Sequence, residues 1–305
     1  MVDLDTFVTW LYVSADDYCK DFLPSDCHPG PVATLSRSEV VTLAILGQWS
    51  RFRSESVFWA EVQRRLGAAF PCLPDRSQFN RLVRHYRDAI TAFALFLGDQ
   101  DPAYEVLDSL GARTRNAQRR GRGWLPAQAA KGRCTRLGWY VGFHVLTVVS
   151  PHGAITGFGF APANVDDRDL ADTLLAARAC SHPQLPSAGR QHHDLYLADG
   201  GFWAPERQAR WSQRGVTILA PPQPKTRWYD TWSAWARHWL ASHRQIVETV
   251  HERLLGPFRL ETERPHTVDG FAARLAAKVG LHNFCLWLNR QLGRPGLAVA
   301  DLIDW

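Results

Sequence analysis

The chain has 305 residues, 46% of them hydrophobic, which is enough for one large domain or two ordinary ones with a true core and excludes disorder as the default. Lysine and arginine number 35 against 30 acids, so the formal net charge of +5 favours a polyanionic partner, and its distribution matters more than its sum. Six scattered cysteines with no C-x-x-C pair suggest neither a disulfide framework nor a zinc knuckle and read as reduced core thiols, and no apolar run approaches the roughly 18 residues of a membrane span. The first residues, MVDLDTFVTWLYVSADDYCK, carry acids early and lack a basic start followed by an apolar core, so the expected location is the cytoplasm, with no membrane contact.

Residues 1 to about 100 read as helical. In LSRSEVVTLAILGQW, Ser36 and Glu39 have capping-box spacing, and Leu35 and Val40 stand where a hydrophobic staple places them. In PDRSQFNRLVRHYRDAI, Asp75 and Gln78 repeat that spacing ahead of an apolar stripe of Phe79, Leu82, Val83 and Tyr86. Arg76, Arg81, Arg84, His85 and Arg87 decorate the rest of this predicted helix. A short basic helix after other short helices fits a DNA reader of the helix-turn-helix kind, and it equally fits a solvated surface helix.

Beyond residue 100 strands and helices alternate. AYEVLDSL (103–110) reads as a first strand, GWYVGFHVLTVVS (138–150) as a second and GAITGFGFA (153–161) as a third, an opening meander. Between the first two lies RTRNAQRRGRG (113–123), whose Arg113, Arg115, Arg119, Arg120 and Arg122 read as a loop that is either solvated or holding phosphates. A helix over 167–180, a fourth strand in LYLA, a short helix in RQARWSQRG and a fifth strand over 216–221 follow, then long helices over about 231–255 and 268–291. The expected domains are a helical one over 1–100, an α/β one over 101–291 and a tail over 292–305.

In DLYLADGGFWAPE (194–206) the apolar strand stops at Asp199-Gly200-Gly201, and carboxylates at the carboxyl ends of core strands are favoured positions for metal sites. An Asp-Gly turn without chemistry is the bland alternative. If strands one and four are neighbours, Asp108 and Asp199 sit side by side, and the helix after strand five can bring in Glu248. Three acids suffice for divalent magnesium, which prefers carboxylate oxygens, and two such ions can stabilise both oxygens of an in-line phosphodiester displacement. Glu252, one turn after Glu248, competes for the third place, and an exposed ion pair between Arg244 and Glu248 is the purely structural alternative.

The motifs VLDSL, LADGGFW and HRQIVETVHERL, in that order, resemble the DDE transposases of bacterial insertion sequences. The resemblance covers roughly residues 35 to 290 and is most specific in RQIVE, where Arg244 and Glu248 keep the Arg, three residues, Glu spacing. It implies an α/β fold of ribonuclease H-like type, a mixed five-stranded sheet flanked by helices and preceded by an all-α DNA-binding domain. It further implies Asp108, Asp199 and Glu248 as catalytic metal ligands, two Mg²⁺ ions with Mn²⁺ as substitute, cutting of inverted-repeat ends and joining of the freed 3′-hydroxyl to target DNA. Double-stranded DNA is the implied partner, bound by a homodimer. A nuclease without strand transfer and a decayed DNA-binding protein are the alternatives.

Branches of this family with a Tyr three residues before the Arg and a Lys seven after the Glu differ from this chain, which has Ala241 and Leu255 there. Arg244, Lys225 and Arg227 are placed to hold phosphate. Phe202 suits the core, while Trp203 suits either the core or a stacking platform for a displaced base. His144 fits the interior of the sheet and His192 and His193 the surface.

Overall fold

The structure, a computed structural model, describes residues 1–25, 33–116, 125, 127–181, 194–224, 226–262 and 266–305. Its contacts divide the chain into two compact units, Met1–Gly98 with Arg253–Trp305, and Asp99–Glu252. The expected second domain ran on to residue 291; the structure instead counts residues 253–305 with the N-terminal helices.

The first unit opens with strand β1 (Val2–Asp3) and helix α1 (Leu4–Phe22), whose start is fixed by the Asp3 carboxylate accepting the Thr6 N–H at 2.7 Å. Helix α2 (Arg37–Leu46) has the capping box its sequence announces: the Glu39 N–H donates to Ser36 Oγ and the Ser36 N–H to the Glu39 carboxylate. Its residues from Val40 to Leu46 are buried all round, so α2 is a core helix rather than an amphipathic one. Helices α3 (Glu55–Arg65), α4 (Arg76–His85) and α5 (Arg87–Phe96) follow. The sequence suggested one helix across α4 and α5. The structure breaks it at Tyr86, whose backbone (φ −88°, ψ 19°) leaves helical geometry while its N–H still closes onto Leu82.

The second unit holds a mixed sheet. Strand β2 (Glu105–Asn116) pairs antiparallel with β4 (Gly138–Val149), whose other edge is shared by β3 (Ala130–Cys134) and β5 (Ile155–Pro162). On its far side β2 pairs in parallel with β6 (Asp194–Leu197), and β6 with β7 (Val216–Leu219). The path β5-β4-β2-β6-β7, antiparallel on one side of β2 and parallel on the other, is the ribonuclease H-like topology. Helices α6 (Asp167–Ser181), α7 (Pro205–Ser212) and α8 (Ala234–Leu255) complete the unit, and the division between units falls inside α8. Leu107, Leu146 and Tyr196 of the sheet pack with Leu170 and Leu175 of α6 and Trp211 of α7 in one apolar cluster.

Two expectations about the sheet are corrected. It has six strands rather than five among the described residues, because β3, a short run with glycine at its centre, takes the free edge of β4. Strand β2 does not stop at residue 110: Arg113–Asn116, expected in a loop, continue it against Tyr140–Gly142 after a bulge between Arg113 and Arg115.

The chain then returns to the first unit through helix α9 (Val268–Gln291), buried along most of its length and packed on α5 and α2. A Cβ at Gly280 would stand 2.9 Å from Ile45 Cδ1, so glycine there permits the close approach of α9 to α2. The buried Lys278 ammonium is satisfied by Gln48 Oε1 at 2.7 Å and the Phe258 carbonyl at 2.6 Å. The expected tail carries strand β8 (Ile303–Asp304), which pairs in parallel with β1.

Candidate active site at the splayed end of the sheet

The β2–β6 ladder ends at Val106↔Leu197, and Asp108 and Asp199 each stand two residues beyond that last pair. Side chains alternate along strands, so Asp108 projects to the same side as Val106, and Asp199, whose backbone is still extended (φ −79°, ψ 174°), to the same side as Leu197. The two aspartates thus stand at equal depth beyond the last β2–β6 pair, Asp108 inside β2, where β2 still pairs with β4, and Asp199 just past the end of β6, at the carboxyl end of that strand where ligands are favoured.

Asp108 is held from several directions. Its Oδ1 accepts the Ser109 N–H at 2.9 Å, and its Oδ2 lies 3.4 Å from Nη2 of Arg244 on α8. Both side chains are less than one fifth exposed, so water screens the pair poorly. Burial pushes the Asp108 carboxyl up to about 6; Arg244 opposes this, and the charges of Asp199 and Asp167 add to it.

Asp167 carried no expectation. Its Oδ2 accepts the Ser109 hydroxyl at 2.8 Å, and its Oδ1 stands 2.7 Å from Nδ1 of His144 on the neighbouring strand β4. His144 is 14% exposed, as a residue filling the sheet should be. The only hint in the sequence was an acidic first turn in DDRDL, indistinguishable there from ordinary helix capping.

Asp199 caps the short 3₁₀ turn Gly200–Phe202, its Oδ1 accepting the Gly201 N–H at 2.8 Å. A Cβ on Gly201 would come within 2.9 Å of that oxygen, and one on Gly200 within 3.2 Å of the Pro221 carbonyl. The two glycines therefore make room for the chain's own carboxylate and neighbouring backbone. Phe202 is buried in the cluster under the sheet, and Trp203 packs half-buried against it.

Helix α8 is pinned beside Asp108 at two places, by Arg244 and by buried His251, whose Nε2 lies 2.8 Å from Thr147 Oγ1, the strand partner of Asp108. Burial, followed by the charges of Arg136 and Arg244, pulls the His251 imidazole down to about 4, so it is neutral near pH 7. Glu248 lies on the same face of α8 as Arg244, one turn on, and is exposed, as is Glu252. Among the described residues no three His, Cys, Asp or Glu side chains are grouped so as to hold a metal ion. The fold thus assembles two of the three expected acids. A divalent cation suits that pair: hard oxygen donors, one of them a carboxylate that burial and the nearby acids make unfavourable when ionised, against the opposing pull of Arg244.

The expected DNA-contacting residues scatter over both units. Arg76, Arg81 and Arg84 lie on α4, where Arg76 stands 4.0 Å from Glu55 and Arg81 donates to Gln78 at 3.1 Å. Arg113 is exposed on β2, and the backbone of Arg115 continues that strand. Arg227 stacks on Trp228, 4.7 Å from the ring centre. Arg119, Arg120 and Lys225, like His192 and His193, lie outside the described residues.

The sheet order and the paired aspartates define a ribonuclease H-like domain with a carboxylate site at the end of its central strands. Residues 106–284 match the Transposase DDE domain family, more than half of the chain, and the chain belongs to that family. No curated protein sequence matches it. A solved structure, the Mos1 transposase paired-end complex with left transposon end, is similar over 81% of this chain and 85% of its own, at 12% identity and a TM-score of 0.24. No helix among the described residues is long and apolar enough to cross a membrane.

Proposed function

We propose that this chain is a cytoplasmic DNA transposase that cuts the ends of an insertion sequence and joins the freed 3′-hydroxyl to target DNA, using Asp108, Asp199 and Glu248. The observation that carries this reading is the placement of Asp108 and Asp199 just past the last β2–β6 pair in a chain of the DDE family. When bound, a pair of Mg²⁺ or Mn²⁺ ions would stabilise the attacking and leaving oxygens of the displacement and lower the pKa of the attacking water. Asp108 and Asp199 offer the oxygens that would hold them, and Glu248, one turn after Arg244 on the same face of α8, would be the third acid. Arg244 balances the Asp108 charge and presents a planar donor suited to phosphate. The helical residues 1–100 carry the DNA-binding role, through Arg76, Arg81 and Arg84, and a homodimer holds both ends.

Duplexes carrying the inverted-repeat ends, incubated with the protein and Mg²⁺ or Mn²⁺, should yield joined products. Nicks without joining would indicate a nuclease, and a gel shift alone a binding protein. Asp199→Asn should abolish cutting and joining and keep the gel shift; joining by that variant refutes the site.

A further inference from the structure

The first unit contains a cavity of about 590 Å³, within the usual range for ligand sites, walled by α2, the starts of α3, α4 and α9, and the stretch that precedes α9. Six arginines line it: Arg53, Arg76, Arg81 and Arg84 from the N-terminal part of the chain, and Arg259 and Arg274 from the C-terminal part. Among the described residues Glu55 is the one carboxylate in the lining, and it is already engaged by Arg274 and by the Asn80 amide. The described lining therefore carries an excess of five positive charges around one recess, a density that the chain's overall +5 does not by itself require.

Its geometry adds to the charge. Residues of the first turns of α3, α4 and α9 line the cavity, so three positive helix-dipole ends open on it, although Ser54, Asp75 and Thr267 each already accept one or two of the terminal N–H groups. Phe58 and Phe79 in the lining are buried, and its accessible part includes the arginines together with Ser54, Ser56, Ser77, Thr262 and His266, all donors to an anion when the imidazole is protonated. Such a recess suits a chain of phosphates better than the edge of a base, because the two side-chain amides in its described lining are already engaged, Asn80 by Glu55 and Arg274 and Gln48 by Lys278 and the Ala44 carbonyl.

We infer that this cavity is a phosphate cleft for the DNA backbone, in which Arg53, Arg259 and Arg274 act together with the arginines of α4. The inference rests on the transposase reading and adds to it residues from the segment after α8, which no motif marks. It makes sequence-independent grip a property of both ends of the chain.

The test uses the full-length chain, a duplex bearing the element's end and a scrambled duplex of equal length. Binding is followed by fluorescence anisotropy from about 50 to 200 mM salt. The double variant Arg53→Ala/Arg259→Ala should weaken binding to both duplexes by the same factor and lower the salt slope by about 1 for each arginine removed. Arg64→Ala, an exposed arginine outside the cavity and paired with Glu61, serves as control and should change neither. Arg53→Ala alone, at an exposed side chain, gives half the slope change and stands in if the double variant melts early. A wild type that binds and cuts, with cavity variants of unchanged slope, overturns the cleft alone. A wild type that binds no duplex overturns both the cleft and the transposase reading.

Discussion

The end of the sheet and the arginine cavity of the helical unit are charged in opposite senses and built in opposite ways. At the sheet, two acids are set by strand register, one of them largely buried with its titration displaced to about 6. In the cavity, six arginines converge from segments more than two hundred residues apart in the chain, several of them exposed. Chemistry on a phosphodiester needs fixed positions, which a ladder of backbone hydrogen bonds supplies. Holding a polyanion needs charge within reach, which long flexible side chains supply.

Removing charge at the two places should therefore separate cutting from binding. The largest effect is expected from Asp108→Asn, which should lower cutting about a thousandfold or more, since metal-held charge is worth several kcal/mol in the transition state. The same variant should be more stable than the wild type without metal. The Asp108 carboxyl is raised to about 6 when folded, against about 3.9 unfolded, so between those values the folded state binds more protons and stability falls as pH rises. Melting curves in chelator from pH 4 to 8 should show that fall in the wild type and lack it in Asp108→Asn, with a gain at pH 7.5 of up to about 3 kcal/mol. Equal slopes in the two proteins would refute the assignment.

Arg244→Ala comes next. Without the guanidinium 3.4 Å away, the Asp108 carboxyl should titrate higher still and the acid limb of the pH–rate profile should move up by about 1 unit. Arg244→Lys should return part of the shift, because a point charge replaces the planar donor. A profile unmoved by Arg244→Ala would show that α8 does not set the charge of Asp108. The smallest effect is expected from Gly201→Ala, whose new Cβ would crowd the Asp199 carboxylate at 2.9 Å. Mn²⁺ affinity should fall about tenfold, as for other groups that orient a metal ligand. Unchanged affinity would mean that the turn at 200–202 is not what orients Asp199.

Much of this was legible in the sequence for physical reasons. The capping box at Ser36 and Glu39 and the cap at Asp75 depend on neighbours three residues apart, and both formed. The strand-helix alternation after residue 100 was legible, and the condition that brings Asp108 and Asp199 together, first and fourth expected strands side by side, is met by the β2–β6 pair. What stayed hidden depends on distant partners. Strand β3 exists because β4 has a free edge, and β2 runs on through Arg113 because Gly142 and Tyr140 are there to pair with it. Asp167 reaches Ser109 over 58 positions of sequence, and Arg259 and Arg274 meet Arg53 only after the chain has crossed the second unit. Glu248 is the reverse case: its motif spacing was clear, yet its side chain is exposed while Asp108 is met by Arg244 and Asp167.

The most direct test of the central claim is Mn²⁺ binding to the DNA-free protein by electron paramagnetic resonance, comparing the wild type with Asp108→Asn and Asp199→Asn. Tight binding in the wild type at pH 7.5, weakening as the pH is lowered through about 6 and lost in both variants, is the predicted result. Binding in either variant as tight as in the wild type would contradict the claim that these two aspartates form the metal site.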